Sequence, residues 1–569
     1  MPKQGVNTMK MSIGSFLIDR LVSLGVSRIY GVPGDYNLEF LELLENSKRL
    51  SFVGTCNELN AAYAADGEAR LKGISVVLTT YGVGDLAALP GVAGSYSEGV
   101  PVLSISGAPP LRAIRSKALL HHTLADGNYG DVMHCFREFT VAQALITPEN
   151  AVYEIDRVLQ ACWREKRPAH LQLPSDICFI EIDVPDRALQ LETAPSDAAR
   201  LTAAATCIAM RLAQAKRPLL LLDSMVRSQR LARQVERLVE CFGLDFATLS
   251  SAKAVLSETH PHYLGMYNGK ASTPEIFERV AEADCVICLG VRFVDATSGW
   301  FSQALDAAAV IHIQPFDVTI GGDYFAGVAA AELLETIVER EIAVSQTPHR
   351  HPVLVPASNT QGHDQAWGQN AFWHRIGRFI APGDVIVAEN GTSLAGLSRL
   401  KLPEGCSFIS QPIWGAIGYT LPALLGTSLA APDRRHLLFI GDGSFQLTGQ
   451  ELSTILRHGL KPVIFLLNNQ GYTIERLILG ETSAYNDVAN WRYADLPAVL
   501  APTVQAHTFV VNNESKLEAA LETATDPTAL TFIEVKFKPM DTQRGMPIFG
   551  NMAREYDYGN WALPRPRSG

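Results

Sequence analysis

Short apolar runs alternate with amphipathic helical stretches along the whole chain. The first group is SRIYGVPG, LSFVGT, ISVVLTTYG and PVLSISGAPP. RPLLLLDS, ADCVICLG and AVIHIQPFD form a second, and GDVIVAENG, RRHLLFIGDG and KPVIFLLNNQG a third. Strands that are apolar on both faces must be covered on both faces, and helices between them supply the cover. The rhythm therefore predicts an α/β chain of three doubly wound parallel-sheet domains. Composition turns polar and aperiodic near residues 183 to 202 and again near 345 to 368, where Pro, His and small polar residues gather. Those breaks predict domains over 1–185, 200–345 and 366–569. In such sheets ligands bind beyond the carboxyl ends of strands, so the loops there are the places to look for chemistry.

With 569 residues, 47% of them hydrophobic, the chain has ample core for three domains. A net charge of -11 and a pI near 5.7 argue against general nucleic-acid binding. No apolar stretch reaches the length of a membrane span, and the first residues lack a signal-peptide core, which predicts a cytoplasmic protein without membrane partners. Nine scattered cysteines do not make a disulfide framework. The C-x-x-C of Cys285 and Cys288 lies in a strand-like run, where residues three apart face opposite ways, so it predicts core packing rather than a metal site.

Glu58 stands in VGTCNELNAAYAADG among small and apolar residues. If this stretch is helical, Glu58, Ala61, Ala62 and Ala65 share one narrow face suited to burial. A buried carboxylate is costly unless it finds a donor or keeps its proton. The plainer reading is a helix start, with Asn57 as cap and Glu58 near the positive end of the helix dipole.

LLFIGDGSFQLTGQEL, continued by KPVIFLLNNQGYTIER, is more specific. A strand ending at Ile440 runs into a Gly441-Asp442-Gly443 turn, and a helix opens near Gln446. Glycines there allow backbone to approach an anion, and the helix start offers unpaired N–H groups. A second strand ends in Asn468-Asn469, with Gly471 following. Magnesium takes oxygen ligands in a tight octahedron that it shares with substrate phosphates. Asp442, the Asn469 amide oxygen and the Gly471 carbonyl would supply three protein oxygens, leaving the rest to diphosphate and water.

These two segments resemble the diphosphate-binding motif of thiamine diphosphate enzymes, above all the 2-keto acid decarboxylases. CNELNAAYAADG, YGVPGDYNLEFL, LLHHT, AENGTS, QPIWGAIGYT and GMPIFGNMAREY resemble further stretches of the same family, so that the resemblance covers nearly the whole chain. It implies a pyrimidine-binding first domain, a middle domain, and a diphosphate-binding third domain with a closing segment. It implies thiamine diphosphate and Mg2+ as cofactors and non-oxidative decarboxylation of a 2-keto acid to an aldehyde and carbon dioxide. Glu58 would exchange a proton with the pyrimidine ring, a task for a carboxylate whose pKa desolvation lifts. Asp35, His121, His122 and Glu475 would form a proton relay, with Glu475 near the departing carboxylate. Ile417 would wedge beneath the cofactor, and Thr392, Gly415, Gly441, Asp442, Gly443, Ser444, Asn469, Tyr472 and Ile474 would touch it. The family binds its cofactor between the first domain of one chain and the third of another. A homodimer is thus the minimum expected, and a homotetramer fits as a dimer of dimers.

Two departures stand out: DGEAR puts Glu68 where an aromatic is common, and YGVGD puts Asp85 where Glu is usual. Both read as surface or packing changes that touch no residue with an assigned role. Leu394 and Ala395 stand where pyruvate-specific relatives carry Phe, and Ile548, Phe549 and Met552 of the closing segment would join the pocket wall with Ile474. Such a wall favours aryl or long and branched substrates of the indolepyruvate or phenylpyruvate type. Pyruvate decarboxylase is the alternative, followed by a carboligating enzyme of the acetohydroxy acid synthase type. Gly82-x-Gly84 imitates a dinucleotide fingerprint, but the next strand, PVLSISGAPP, ends without the acid that would hold ribose. A catalytically silent subunit would have lost Glu58, Asp442, Asn469 and Glu475, all of which are present.

Overall fold

Each of the apolar runs quoted above forms a strand in the computed structural model, which describes residues 8–191, 195–339, 367–543 and 545–559. The first sheet has six parallel strands in the order Ser51–Gly54, Arg28–Gly31, Ser75–Thr80, Val102–Ala108, Ala169–Pro174 and Gln143–Leu145. The third sheet repeats this plan with Ser407–Ile409, Val385–Ala388, His436–Gly441, Val463–Asn468, Leu530–Lys536 and Ala506–Val511. The middle sheet runs Tyr263–Met266, Asp245–Thr248, Pro218–Leu222, Cys285–Leu289 and Val310–Ile313 in parallel, then adds Asp317–Ile320 and Asp323–Ala326 antiparallel. The α/β class with three doubly wound sheets is therefore as expected. The antiparallel edge was not anticipated, nor was the small pair of Thr8–Ser12 with Glu181–Pro185.

That small pair also narrows the first predicted linker, since residues 183 to 185 lie in its second strand and a helix resumes at Ala198–Gln214. Most of the second linker, and the tail from residue 560, lie outside the described residues. Cys285 belongs to the core on one face of the middle sheet with Leu220 and Ile287, and Cys288 to the opposite core with Leu219 and Val286. Burial pushes the two thiols up to about 11 and about 12, so they behave as small apolar groups.

The Glu58 segment is a helix, Glu58–Lys72, capped by Asn57, whose side chain accepts from the Asn60 N–H at 2.8 Å. The expected stripe Ala61, Ala62, Ala65 is fully buried, and so is the rest of the helix from Asn60 to Ala69. The reason is cover from two further helices, Val83–Glu98 and Thr420–Ala430. Asp66 ties them together, accepting from Arg70 Nε at 2.6 Å, Ser95 Oγ at 2.8 Å and the Tyr419 hydroxyl at 2.5 Å. A buried acid with this many donors avoids most of the desolvation cost it would otherwise carry.

The described residues pack as two compact units. One is drawn from Met1–Ala194, Tyr419–Asp433 and Thr448–Leu460, the other from Pro195–Gly418, Arg434–Leu447 and Lys461–Gly569. Inside the second unit a buried ion pair joins the middle and third sheets' surroundings. Lys253 Nζ reaches Glu258 at 2.9 Å and the Leu400 carbonyl at 2.8 Å, while Glu258 accepts from the Leu402 N–H at 2.8 Å.

Candidate active site

In the first unit the residues with assigned chemistry gather at the carboxyl ends of the strands. Asp35 follows the Arg28–Gly31 strand, and its Oδ2 lies 2.8 Å from His121 Nε2 while Oδ1 is 3.9 Å from His122 Nε2. The two imidazoles pack edge to face at 4.6 Å. Tyr36, which sequence reasoning passed over, stacks on His121 at 5.0 Å and meets His122 edge-on at 6.2 Å. Its place next to Asp35 was the available signal. His122 has a φ of +61°, a left-handed conformation that a side chain adopts at a cost, so packing must hold it there.

Glu58 is half-buried. Glu451 pins the start of its helix, accepting from Asn60 Nδ2 at 2.7 Å and from the Cys56 N–H at 3.1 Å. Both departures prove to be interior residues. Glu68 is 3% exposed and pairs with Arg28 at 2.6 Å, so it is a packing change and not a surface one. Asp85 is fully buried, so it too is a packing residue rather than a surface one.

In the second unit the His436–Gly441 strand passes directly into the Asp442–Thr448 helix. The expected turn over Gly441-Asp442-Gly443 and a helix start near Gln446 are thus replaced by a direct junction, with Asp442 as its first residue. Asp442 is 1% exposed and accepts from the Gly443 N–H at 2.9 Å and the Gly471 N–H at 3.1 Å. Burial outweighs those bonds and pushes its carboxyl up to about 6.

The buried Asn469 amide has one terminal atom 3.2 Å from Asp442 Oδ1 and 2.7 Å from the Gly471 carbonyl oxygen, and the other 2.9 Å from Thr473 Oγ1. With nitrogen in the first place the amide donates to both oxygens. With oxygen there, its spacings to Asp442 Oδ1 and to the Gly471 carbonyl oxygen, 3.2 and 2.7 Å, are near the roughly 3 Å edge of an octahedron built on metal–oxygen bonds of about 2.1 Å. This donor set fits a small hard cation. Gly471 has a φ of +133°, and a Cβ there would run into the Asn486 carbonyl, so glycine is needed to present that oxygen. The Tyr472 ring occupies the space that a side chain at Gly443 would need, Ser444 is buried, and Gly441 is open.

Thr392 begins the Thr392–Ser398 helix, and its carbonyl accepts from Gln543 Nε2 at 2.5 Å. Ile474 comes within reach of the neighbouring Gly391. Glu389 and Asn390, which sequence reasoning missed, hold the loop carrying Gly415 and Ile417. Glu389 accepts from the Gly418 N–H at 3.2 Å, and Asn390 Nδ2 donates to the Gln411 carbonyl at 2.9 Å. Ile417 is half-buried and Glu475 is exposed in the first turn of Thr473–Ile478. That helix packs on the closing helix Met546–Tyr558. Leu394 packs on the core of the third sheet, and Ala395 is half-buried beside it. Ile548 is exposed, whereas Phe549 meets Trp300 edge to face at 4.3 Å and Met552 lies near Gly299.

Three family models match in the order of the three sheets. They are the N-terminal TPP binding domain of thiamine pyrophosphate enzymes over residues 11–128, the central domain over 205–340 and the C-terminal TPP binding domain over 391–535. The chain is a thiamine pyrophosphate enzyme by class. An alpha-keto-acid decarboxylase of Mycolicibacterium paratuberculosis is 42% identical over 90% of this chain and 91% of its own length. Proteins of the same name from Mycobacterium leprae, 38% identical over 93% of each chain, and Mycobacterium tuberculosis, 40% identical over 86% of this chain and 88% of that one, are similar in the same way. The chain belongs to the thiamine diphosphate-dependent 2-keto acid decarboxylase family.

Proposed function

We propose that this protein decarboxylates 2-keto acids to aldehydes and carbon dioxide with thiamine diphosphate and Mg2+, over a broad range that favours aryl and long or branched substrates. The observation that carries the reading is the Asp35–His121–His122 cluster, where a carboxylate lies 2.8 Å from one imidazole and 3.9 Å from the next. Such a chain of acid and base groups can hand a proton to a carbon centre and take one from a departing product.

When bound, thiamine diphosphate supplies the carbon nucleophile and the electron sink that carboxylate loss requires. Asp442, Asn469 and Gly471 would hold Mg2+ and through it the diphosphate. Glu58 would hold and return the proton at the pyrimidine nitrogen, and Asp35, His121 and His122 would move protons to and from the substrate carbon and oxygen. Glu475 would stand near the substrate carboxylate. The division of work belongs to these acids and bases as a group. Ile417 would support the cofactor from below, and the small Ala395 supports the preference for larger substrates.

We also propose that the site is completed across two copies of the chain, with Glu58 from one and Asp442 from the other, in a dimer or a dimer of dimers. Domain boundaries at 1–185, 200–345 and 366–569 belong to the same reading. A cytoplasmic setting is supported by the nine free thiols, and no helix among the described residues is long and apolar enough to cross a membrane.

The test is carbon dioxide and aldehyde release by purified protein with thiamine diphosphate and Mg2+. Pyruvate, a branched-chain keto acid, phenylpyruvate and indolepyruvate would be compared. Higher kcat/KM on the aryl acids is expected. Preference for pyruvate would leave the reaction standing and overturn the substrate proposal, and silence on all four would overturn the activity.

A further inference from the structure

We propose that Asp85 is a positioning residue for the first unit's half of the site, its carboxylate fixing the short turn on which Glu58 and the His121–His122 segment both rest. The inference rests on the reading of Glu58 as the acid at the cofactor's pyrimidine ring.

Three contacts meet at the junction between the Ser75–Thr80 strand and the Val83–Glu98 helix. A Cβ on Gly34, next to Asp35, would fall on the Thr80 side chain. One on Gly82 would run into the His122 carbonyl oxygen, and one on Gly84 would lie 3.2 Å from Glu58 Oε1. Residues 80 to 84 are therefore the surface on which Asp35, His122 and Glu58 take their places. Gly82 has a φ of +70°, a conformation and a closeness that only glycine accepts.

A turn this tight needs something to hold it, and Asp85 does so from inside. Its Oδ2 accepts from the Gly82 N–H at 3.0 Å and from Ser106 Oγ at 2.7 Å, and its Oδ1 accepts from Thr79 Oγ1 at 2.5 Å. Thr79 and Ser106 belong to neighbouring parallel strands paired directly opposite each other. The carboxylate thus clamps the turn to two rigid strands, the kind of support that keeps reacting groups in register. Asp85 itself is fully buried and reaches no solvent, which excludes a direct part in substrate binding from within its own chain. An asparagine that keeps its oxygen toward the Gly82 N–H and Ser106 Oγ turns its NH2 to Thr79 Oγ1, whose hydroxyl must then rotate from donor to acceptor, so the amide loses the charge and disturbs one arm of the clamp.

The experiment measures exchange of the C2 proton of bound thiamine diphosphate, together with kcat and KM, on the holoenzyme of the wild type, Asp85→Asn, Asp85→Glu, Ser106→Ala and Glu58→Gln. Asp85→Asn is expected to slow exchange and lower kcat by about tenfold to a hundredfold, the scale of a small misplacement of reacting groups. KM and bound cofactor should change little, and Asp85→Glu should restore most of the rate. Ser106→Ala, which removes one donor and leaves the acid, should lower exchange severalfold and decides the matter if Asp85→Asn does not fold. Wild-type exchange in both Asp85→Asn and Ser106→Ala, with exchange abolished in Glu58→Gln, would overturn the positioning role alone. Unchanged exchange in Glu58→Gln would instead remove the reading of Glu58.

Discussion

Two fully buried titratable residues of the first unit, Asp85 and His170, pull its stability in opposite directions as pH changes. Burial pushes the Asp85 carboxyl up to about 7 from 3.8; its three hydrogen bonds oppose the rise and the charge of Glu58 adds to it. A raised folded pKa gives stability that is fully present below the unfolded value and lost as pH climbs through the folded one, so this contribution fades between about 4 and 7. Burial pushes His170 down to about 3 from 6.5, which gives stability present above 6.5 and lost as pH falls toward 3. Comparing wild type with Asp85→Asn leaves the histidine common to both. The unfolding free energy of wild type minus variant should fall as pH rises from 4 to 7, by on the order of 4 kcal/mol at 1.36 kcal/mol per unit. Melting temperatures of the two proteins across that range measure it, and a constant difference would mean that Asp85 does not titrate as a buried acid. None of this was legible in YGVGD, because Asp85 is enclosed by tertiary packing and one of its partners, Ser106, is brought to it only by strand pairing.

The Glu58–Lys72 and Thr420–Ala430 helices approach one another at a pair of glycines. A Cβ at Gly426 would run into the Ala64 carbonyl oxygen, and one at Gly67 would meet the Ala423 backbone. Gly426→Ala must therefore push two helix backbones apart within a buried contact, at a cost of about 1 to 3 kcal/mol. A melting temperature lower by several degrees is expected, and an unchanged one would mean that the helices have room to move. The strands were readable because strands apolar on both faces leave a local signature, and the short apolar runs preserve it. The partnership of these two helices was not, since it joins positions far apart in sequence through small residues that carry little periodicity. The same limit applies to the site. Asp442 and Asn469 stand at the ends of adjacent strands, so alternation of strand and helix foretells their meeting. Glu389 and Glu451 act on backbone contributed by distant loops, and their sequence surroundings give no hint of it.

For the whole molecule, the proposal that each site draws Glu58 from one copy and Asp442 from another makes a prediction that a single chain cannot satisfy. Glu58→Gln should keep cofactor yet lose C2 proton exchange, and Asp442→Ala should lose Mg2+ and cofactor together, so each homo-oligomer is inactive. Mixed under conditions that let subunits exchange, the two variants create sites that take intact Glu58 from one and intact Asp442 from the other. With random pairing about a quarter of all sites are then wild type, whether the assembly is a dimer or a dimer of dimers. Recovered activity near that fraction, with the KM of the wild type, is the expected result. If both residues served a site within one chain, every site in the mixture would carry one broken half and activity would stay at the level of the separate variants. Subunit exchange has to be demonstrated in parallel, by tagging one variant and recovering the other with it, and mixed oligomers without activity would overturn the shared site.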